Sequence, residues 1–142
     1  MLEIEKAKEL NIEETMDDSF TIEELMEIDE YLEEGKLHPL LAKQMTREQL
    51  RKWVGRYGRQ AEEYLQSNNY SKWLKLNDSL ILEKELIKID EKVEKFMDDM
   101  WDNYPQPKTD SFIEAYNHRL QYEQMVQERI FEEIIKPFAL DD

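Results

Sequence analysis

The stretch LEKELIKIDEKVEKFMDDM, residues 82–100, decides the fold of this chain. Its apolar residues recur at spacings of four, three, four, three and four residues. This spacing is typical of a helix that packs lengthwise against another helix. The apolar stripe consists of Leu82, Leu86, Ile89, Val93, Phe96 and Met100. We predict one helix from Trp73 to Trp101, the longest periodic segment of the chain, and an all-α fold.

A second long helix is predicted from about Ser111 to Lys136, because its apolar residues keep helical spacing. The residues expected to face inward are Phe112, Tyr116, Leu120, Met125 or Val126, Ile130 and Ile134. Pro105 and Pro107 separate the two long helices, and Pro137 is expected to end the second. Long helices joined by a short linker pack as an antiparallel hairpin. We therefore predict a small helical bundle built on this hairpin, together with a shorter acidic N-terminal helix.

The acidic N-terminal helix is predicted from about Ile22 to Glu34. Thr21 and Glu24 have the spacing of a capping box at its start, and Gly35 suits the left-handed residue that follows many helices.

We expect residues 1–142 to form a single domain. Within it, residues 1–19 are expected to be a mobile acidic arm, residues 20–45 the acidic helix and a linker, and residues 46–142 the helical core.

Composition excludes several classes of protein. The chain of 142 residues has no cysteine, which excludes disulfides, thiolate catalysis and metal sites built on sulfur. Its two histidines, His38 and His118, have no metal-ligand spacing, and no catalytic or nucleotide-binding motif is present. We expect a protein that is not an enzyme and has no catalytic residue, bound metal or cofactor. Because no stretch is apolar enough for a membrane span or a signal peptide, we expect a cytoplasmic location and no membrane partner.

Charge is strongly partitioned along the chain, whose formal net charge is −15. Residues 1–36 contain 14 acidic and 3 basic residues. The predicted acidic helix has no basic residue, so repulsion between its carboxylates one turn apart is uncompensated. Such a face suits a basic partner, as when helical carboxylates replace nucleic-acid phosphates. The candidate partner-binding residues are Glu23, Glu24, Glu27, Asp29, Glu30, Glu33 and Glu34. The alternatives are a solvated surface or an internal contact with the basic block described next.

Residues 43–75 form a basic block with 8 basic and 3 acidic residues. Tyrosines and tryptophans alternate with these cations, a mixture that is used to hold nucleic acid. The candidate nucleic-acid-binding residues are Arg47, Arg51, Lys52, Arg56, Tyr57 and Arg59. The alternative is that Trp53, Tyr64 and Trp73 belong to the core.

The segment Val54-Gly55-Arg56-Tyr57-Gly58-Arg59, with Tyr64-Leu65 after it, resembles the Gly-Arg-Tyr-Gly-Arg core of the transposon-encoded TnpV family. Further matching positions are Leu86, Ile89-Asp90, Asn117, Arg119 and the run Glu132-Glu133-Ile134-Ile135. The resemblance covers about residues 53–136 and implies an origin in a mobile element or phage. Gly55 and Gly58 are expected to permit close helix packing or a sharp entry into the next helix.

These features lead to one main hypothesis and two alternatives. The main hypothesis is an inhibitor that mimics nucleic acid and binds a basic, nucleic-acid-handling host enzyme, in the manner of anti-CRISPR or anti-restriction proteins. The first alternative is a transposon accessory protein that binds DNA or a recombinase through residues 43–75. The second is a helical scaffold that forms a homodimer through the Trp73–Trp101 stripe.

Overall fold

The computed structural model describes residues 20–141. These residues form α-helices and one π-helical turn, and they contain no β-strand, so the predicted all-α fold is confirmed. The described residues divide into two compact units between Trp53 and Val54. The predicted boundaries at residues 20–45 and 46–142 stay a prediction, and the arm predicted for residues 1–19 lies outside the described residues.

The described part of the first unit, residues 20–53, contains three helices: α1 (Ile22–Glu33), α2 (Pro39–Ala42) and α3 (Arg47–Arg51). Helix α1 begins as predicted. Thr21 Oγ1 accepts a hydrogen bond from the Glu24 amide at 3.1 Å, and Glu24 Oε1 accepts one from the Thr21 amide at 3.0 Å. Gly35 has a φ of +74° after the end of α1, which a side chain would strain. The buried apolar residues of this unit are Ile28, Leu37, Leu41, Met45 and Leu50.

The second unit contains helices α4 (Arg56–Asn68), α5 (Tyr70–Asp78), α6 (Leu82–Asp102) and α7 (Phe112–Ile130), the π-helical turn Phe131–Ile135, and α8 (Lys136–Leu140). Its buried core draws side chains from α4, α6, the end of α7, the π turn and α8. The core residues are Val54, Ala61, Leu65, Leu82, Leu86, Ile89, Val93, Val126, Ile130, Ile135 and Ala139. The part of the predicted stripe from Leu82 to Val93 is therefore buried within this unit, and dimerisation through the Trp73–Trp101 stripe stays a prediction.

The predicted single helix from Trp73 to Trp101 is wrong at one point. The chain breaks between α5 and α6, where Leu80 adopts a φ of +63°. A leucine in this left-handed region is uncommon, and no glycine or proline marks the break in the sequence. Helical periodicity continues across the break, so the sequence pattern conceals it.

The end predicted at Pro137 is also wrong. Proline lacks an amide hydrogen and would clash with the preceding turn of a regular helix. Here the helix widens into the π turn, and Pro137 then occupies the first turn of α8, where no intrahelical donor is needed.

Beside this turn, Arg129 donates from Nε to Glu133 Oε2 at 2.5 Å, and this hydrogen bond holds the pKa of the Glu133 carboxyl below its usual value.

Helix α8 is held against the start of α5. Asn69 Nδ2 donates to the carbonyl of Ala139 at 2.9 Å. Lys72 Nζ donates to the carbonyl of Phe138 and, at 2.6 Å, to that of Asp141. These side chains satisfy carbonyls that the end of a helix leaves without an intrahelical donor.

Helices α6 and α7 run antiparallel, because contacts further along α6 meet residues earlier in α7. The Arg129 guanidinium lies 5.3 Å from the centre of the Phe96 ring, and Tyr122 donates its hydroxyl to the Met100 carbonyl. Beyond α6, the Tyr104 hydroxyl lies 2.8 Å from His118 Nδ1.

The inward-facing residues predicted for α7 are only partly correct. Val126 and Ile130 are buried, but Phe112 is 82% exposed, Tyr116 54% and Leu120 45%. Other positions make the contacts here: Tyr122 donates to the Met100 carbonyl of α6, and His118 contacts Tyr104, which follows α6. The apolar stripe that is buried at Val126 and Ile130 is thus left uncovered towards the start of the helix.

One carboxylate joins α6 to the start of α4. Asp90 Oδ2 accepts a hydrogen bond from the Gly55 amide at 2.6 Å, and Oδ1 accepts one from the Gly58 amide at 2.8 Å. A methyl group on Gly58 would lie 2.7 Å from Asp90 Oδ2 and 2.8 Å from the Leu86 carbonyl oxygen. The close packing predicted for Gly55 and Gly58 is therefore present, and we call this contact the Asp90 clasp.

We predict that Asp90→Asn lowers the free energy of unfolding by about 1–3 kcal/mol. The amide keeps the shape of the carboxylate but presents a donor to one of the two backbone amides, which leaves that group without an acceptor. Urea denaturation measures the effect. The matched control is Glu91→Gln, which removes the same charge at the exposed neighbouring position and is expected to change stability by less than about 0.5 kcal/mol. Equal stability of the two variants would contradict the role of the clasp.

Candidate functional site

The acidic helix α1 presents a row of exposed carboxylates. Glu23, Glu27, Glu30 and Glu34 are spaced by four, three and four residues, which places them on one face of the helix. All four are exposed. At about 1.5 Å of rise per residue, the row spans roughly 16 Å. We call this row the acidic face.

The other predicted acidic residues lie elsewhere on or around α1. Glu24 closes the capping box with Thr21. Asp29 is half-buried, whereas Glu33 is exposed. The structure therefore separates the seven candidates into a row of four, a capping residue and two flanking residues.

Two side chains from outside α1 contact the acidic face. Glu27 Oε2 is 3.3 Å from Nε2 of the buried His38, whose Nδ1 accepts a hydrogen bond from the Leu40 amide at 3.1 Å. The other side chain is Lys36, whose Nζ lies 3.7 Å from Glu34 Oε2. Within α1 itself the last turn has no basic residue. The face remains strongly negative.

The predicted basic residues fall into both units. Arg47, Arg51 and Lys52 belong to α3 and its end in the first unit. Arg56, Tyr57 and Arg59 belong to the first turns of α4 in the second unit. Arg56 and Arg59 are exposed, and the Arg56 guanidinium lies 5.3 Å from the centre of the Tyr57 ring.

Most of the aromatic residues in the basic block pack against the core. Tyr57, Tyr64 and Trp73 are partly buried and pack against it. Tyr64 makes an edge contact with Phe131, and Trp73 Nε1 donates to Glu62 Oε2 at 3.2 Å. Only Tyr70 among the tyrosines of this block is largely exposed, and it stacks on Trp73. These rings are therefore poorly placed to stack on bases.

An apolar groove of about 440 Å³ lies at the tip of the α6–α7 hairpin. Its lining includes Trp101, Tyr104, Pro107, Phe112, Tyr116 and Arg119. The side chains of Trp101, Tyr104 and Tyr122 form a cluster in which ring centres lie 4.8–5.3 Å apart. Arg119 covers the Trp101 ring at 5.4 Å.

Beside this groove, α7 presents four exposed apolar side chains: Phe112, Ile113, Tyr116 and Leu120. We call them the tip face. This face was not predicted, because helical spacing placed Phe112, Tyr116 and Leu120 among the core residues. The sequence does contain an indication of this exposed face. Ile113 lies about 100° around the helix from Phe112, so the apolar stripe is wider than packing against one neighbouring helix requires.

The histidines make hydrogen bonds within the protein. His38 contacts Glu27 and Leu40, and His118 contacts Tyr104. Between residues 20 and 141 no group of three or more histidine and acidic side chains could hold a metal ion. Across the same residues, no helix combines the length and apolar character needed to cross a membrane.

Comparison with protein-family models, curated proteins and solved structures gives no match for this chain. The resemblance to the TnpV family therefore stays a prediction. Within the second unit, Gly55 and Gly58 both donate hydrogen bonds to Asp90, and Gly58 also lies against the Leu86 carbonyl. These matching residues have a structural role within the second unit.

We predict that Tyr57→Phe lowers the free energy of unfolding by about 1 kcal/mol. The Tyr57 hydroxyl lies 3.2 Å from Oε1 and 2.9 Å from Nε2 of Gln127, and phenylalanine would leave this part-buried amide without that partner. Urea denaturation is the measurement, and Tyr70→Phe at an exposed position is the control. If both variants are as stable as the parent protein, the contact does not stabilise the fold.

Proposed function

We propose that this protein is a non-enzymatic interaction protein that binds a basic, nucleic-acid-handling protein through the acidic face of α1 and competes with its DNA or RNA. The observation that carries the proposal is the row Glu23, Glu27, Glu30 and Glu34, which is exposed over roughly 16 Å of helix with no basic residue in α1.

The spacing of this row suits a groove that holds nucleic acid. Neighbouring carboxylates are separated by three or four residues, or about 4.5–6 Å along the helix axis. The phosphates of one DNA strand repeat about every 3.4 Å along the duplex axis. Lysine and arginine side chains are long enough to adjust to such a difference in spacing, because their cations sit at the ends of flexible stems.

Electrostatic attraction favours both the diffusional encounter with a basic partner and the final contact with it. A net charge of −15 attracts a basic protein over long distances and repels free nucleic acid. Pairs of like charge one turn apart in α1 each cost a few tenths of a kcal/mol, and a cationic groove would relieve this repulsion on binding. Both effects weaken as salt increases.

The resemblance to the TnpV family extends this proposal to a biological context. A phage or mobile element that enters a bacterium encounters restriction and CRISPR nucleases, which are basic proteins that hold nucleic acid. An inhibitor of one of these host enzymes fits both the resemblance and the acidic face. The protein would then act in the cytoplasm.

A second candidate function is that of a transposon accessory protein that binds DNA or a recombinase through residues 43–75. The exposure of Arg56 and Arg59 on the first turns of α4 favours it. The packing of Tyr57, Tyr64 and Trp73 against the core weakens it, because buried rings do not stack on bases.

The first experiment is capture of proteins from nuclease-treated bacterial lysate on the immobilised full chain. We predict that a basic nucleic-acid-binding protein is retained at about 0.1 M salt and released towards 1 M, where the screening length falls from about 10 to 3 Å. The triple variant Glu23→Lys, Glu27→Lys, Glu30→Lys should lose at least about 100-fold in affinity for the captured protein, as measured by calorimetry.

The matched control is Glu63→Lys, Glu91→Lys, Asp98→Lys, which alters net charge equally at exposed positions of α4 and α6. We expect it to bind far better than the α1 variant. Equal binding by the two variants would exclude the acidic face as the binding site. Capture that disappears after nuclease treatment, with DNA retardation lost on mutating Arg56 and Arg59, would instead support the second candidate.

A further inference from the structure

We propose that the tip face is a homodimer interface, on which two copies of α7 pack antiparallel about a two-fold axis at Tyr116. This inference is independent of the function proposed for α1. It concerns Phe112, Ile113, Tyr116 and Leu120, which are 82%, 70%, 54% and 45% exposed.

The tip face continues a surface that the protein covers elsewhere. At about 100° per residue, Tyr116, Leu120 and Gln127 lie within about 40° of one another around α7. At Gln127 this side of the helix is in contact with Tyr57 of α4. Towards the start of α7 the same side is exposed, so its apolar residues lie where a further helix would pack.

The charge of the tip face favours a second copy as its occupant. Two copies that each carry a net charge of −15 repel one another. They can approach closely at the tip face, because none of its four residues is acidic or basic. A basic partner, in contrast, would find no acidic group within this face to pair with. Depletion of charge is also typical of the centre of protein interfaces.

Three of the four residues of the tip face have self-complementary spacing. Phe112 and Leu120 each lie four residues from Tyr116, so these three are symmetric about Tyr116, whereas Ile113 of one copy lies opposite Arg119 of the other. In an antiparallel pair, Phe112 of one copy therefore meets Leu120 of the other, and the two Tyr116 side chains meet at the axis. An isologous interface requires this kind of symmetry.

The exposed area is close to what a dimer needs. Large side chains bury about 150–250 Å² each, so the tip face exposes on the order of 500 Å². The neighbouring groove, with Trp101 and Tyr104 in its lining, brings the surface nearer to the roughly 800 Å² per partner of a standard interface.

The test is the mass of the full chain in solution, measured by sedimentation equilibrium over a range of concentrations. We expect a reversible dimer with twice the 17.3 kDa of one chain. Salt should strengthen it by screening the repulsion between the copies, which is the opposite of the effect expected for binding through α1. Tyr116→Glu should raise the dissociation constant about 100-fold or more, because each dimer then places two charges at the centre of the interface.

The matched control is Gln121→Glu, which adds the same charge at an exposed position on another side of α7 and should leave the dimer intact. A single-cysteine variant provides a second test, since the natural chain has no cysteine. Under mild oxidation, Tyr116→Cys should form a covalent dimer rapidly, whereas Gln121→Cys should not. A monomer at all concentrations, or a dimer that tolerates Tyr116→Glu, would overturn the proposal, as would equal cross-linking of the two cysteine variants.

Discussion

The second unit depends on the Asp90 clasp. Two orphan amides at the start of α4 are bound by one carboxylate from the middle of α6, so a single side chain sets the position of one helix on the other. Gly58 makes this possible, since any side chain there would collide with Asp90 and with the backbone of α6. The buried residues Ala61 and Leu65 of α4 belong to the same core as Leu86 and Ile89 of α6. The hydrogen bonds of Asp90 and the apolar core thus both hold α4 against α6.

Much of this arrangement could be predicted from the residues themselves. The stripe from Leu82 to Val93 is buried, and the capping box at Thr21 starts α1, because local spacing and local hydrogen bonds determine both. The break at Leu80 was not predicted, because a leucine rarely takes the left-handed position that ends a helix. The motif is local: the Leu80 amide donates to the Asn77 carbonyl and the Ile81 amide to the Leu76 carbonyl, each at 3.1 Å. Phe112 and Tyr116 were assigned to the core because periodicity reports an apolar face without reporting what covers it.

The candidate surfaces were predictable to different degrees. The acidic face follows directly from sequence, because exposed glutamates on a capped helix keep their spacing. The basic block does not, since Arg47 and Arg56 fall into different units and the rings between the cations pack inward. The acidic face and the tip face differ in chemistry: one is charged and weakened by salt, the other apolar and strengthened by it. The two proposed contacts therefore respond to salt in opposite directions.

The long-range contacts of the second unit have a consequence for folding kinetics. Helical proteins fold quickly when most of their contacts are local. Here Tyr57 meets Gln127, and Asn69 meets Ala139, each across 70 residues of chain. The entropy of closing loops of this length must be lost before these contacts stabilise the core. The helices can form in microseconds, so docking of the chain-distant helices α7 and α8 onto α4 and α5 should limit the rate at which this unit folds.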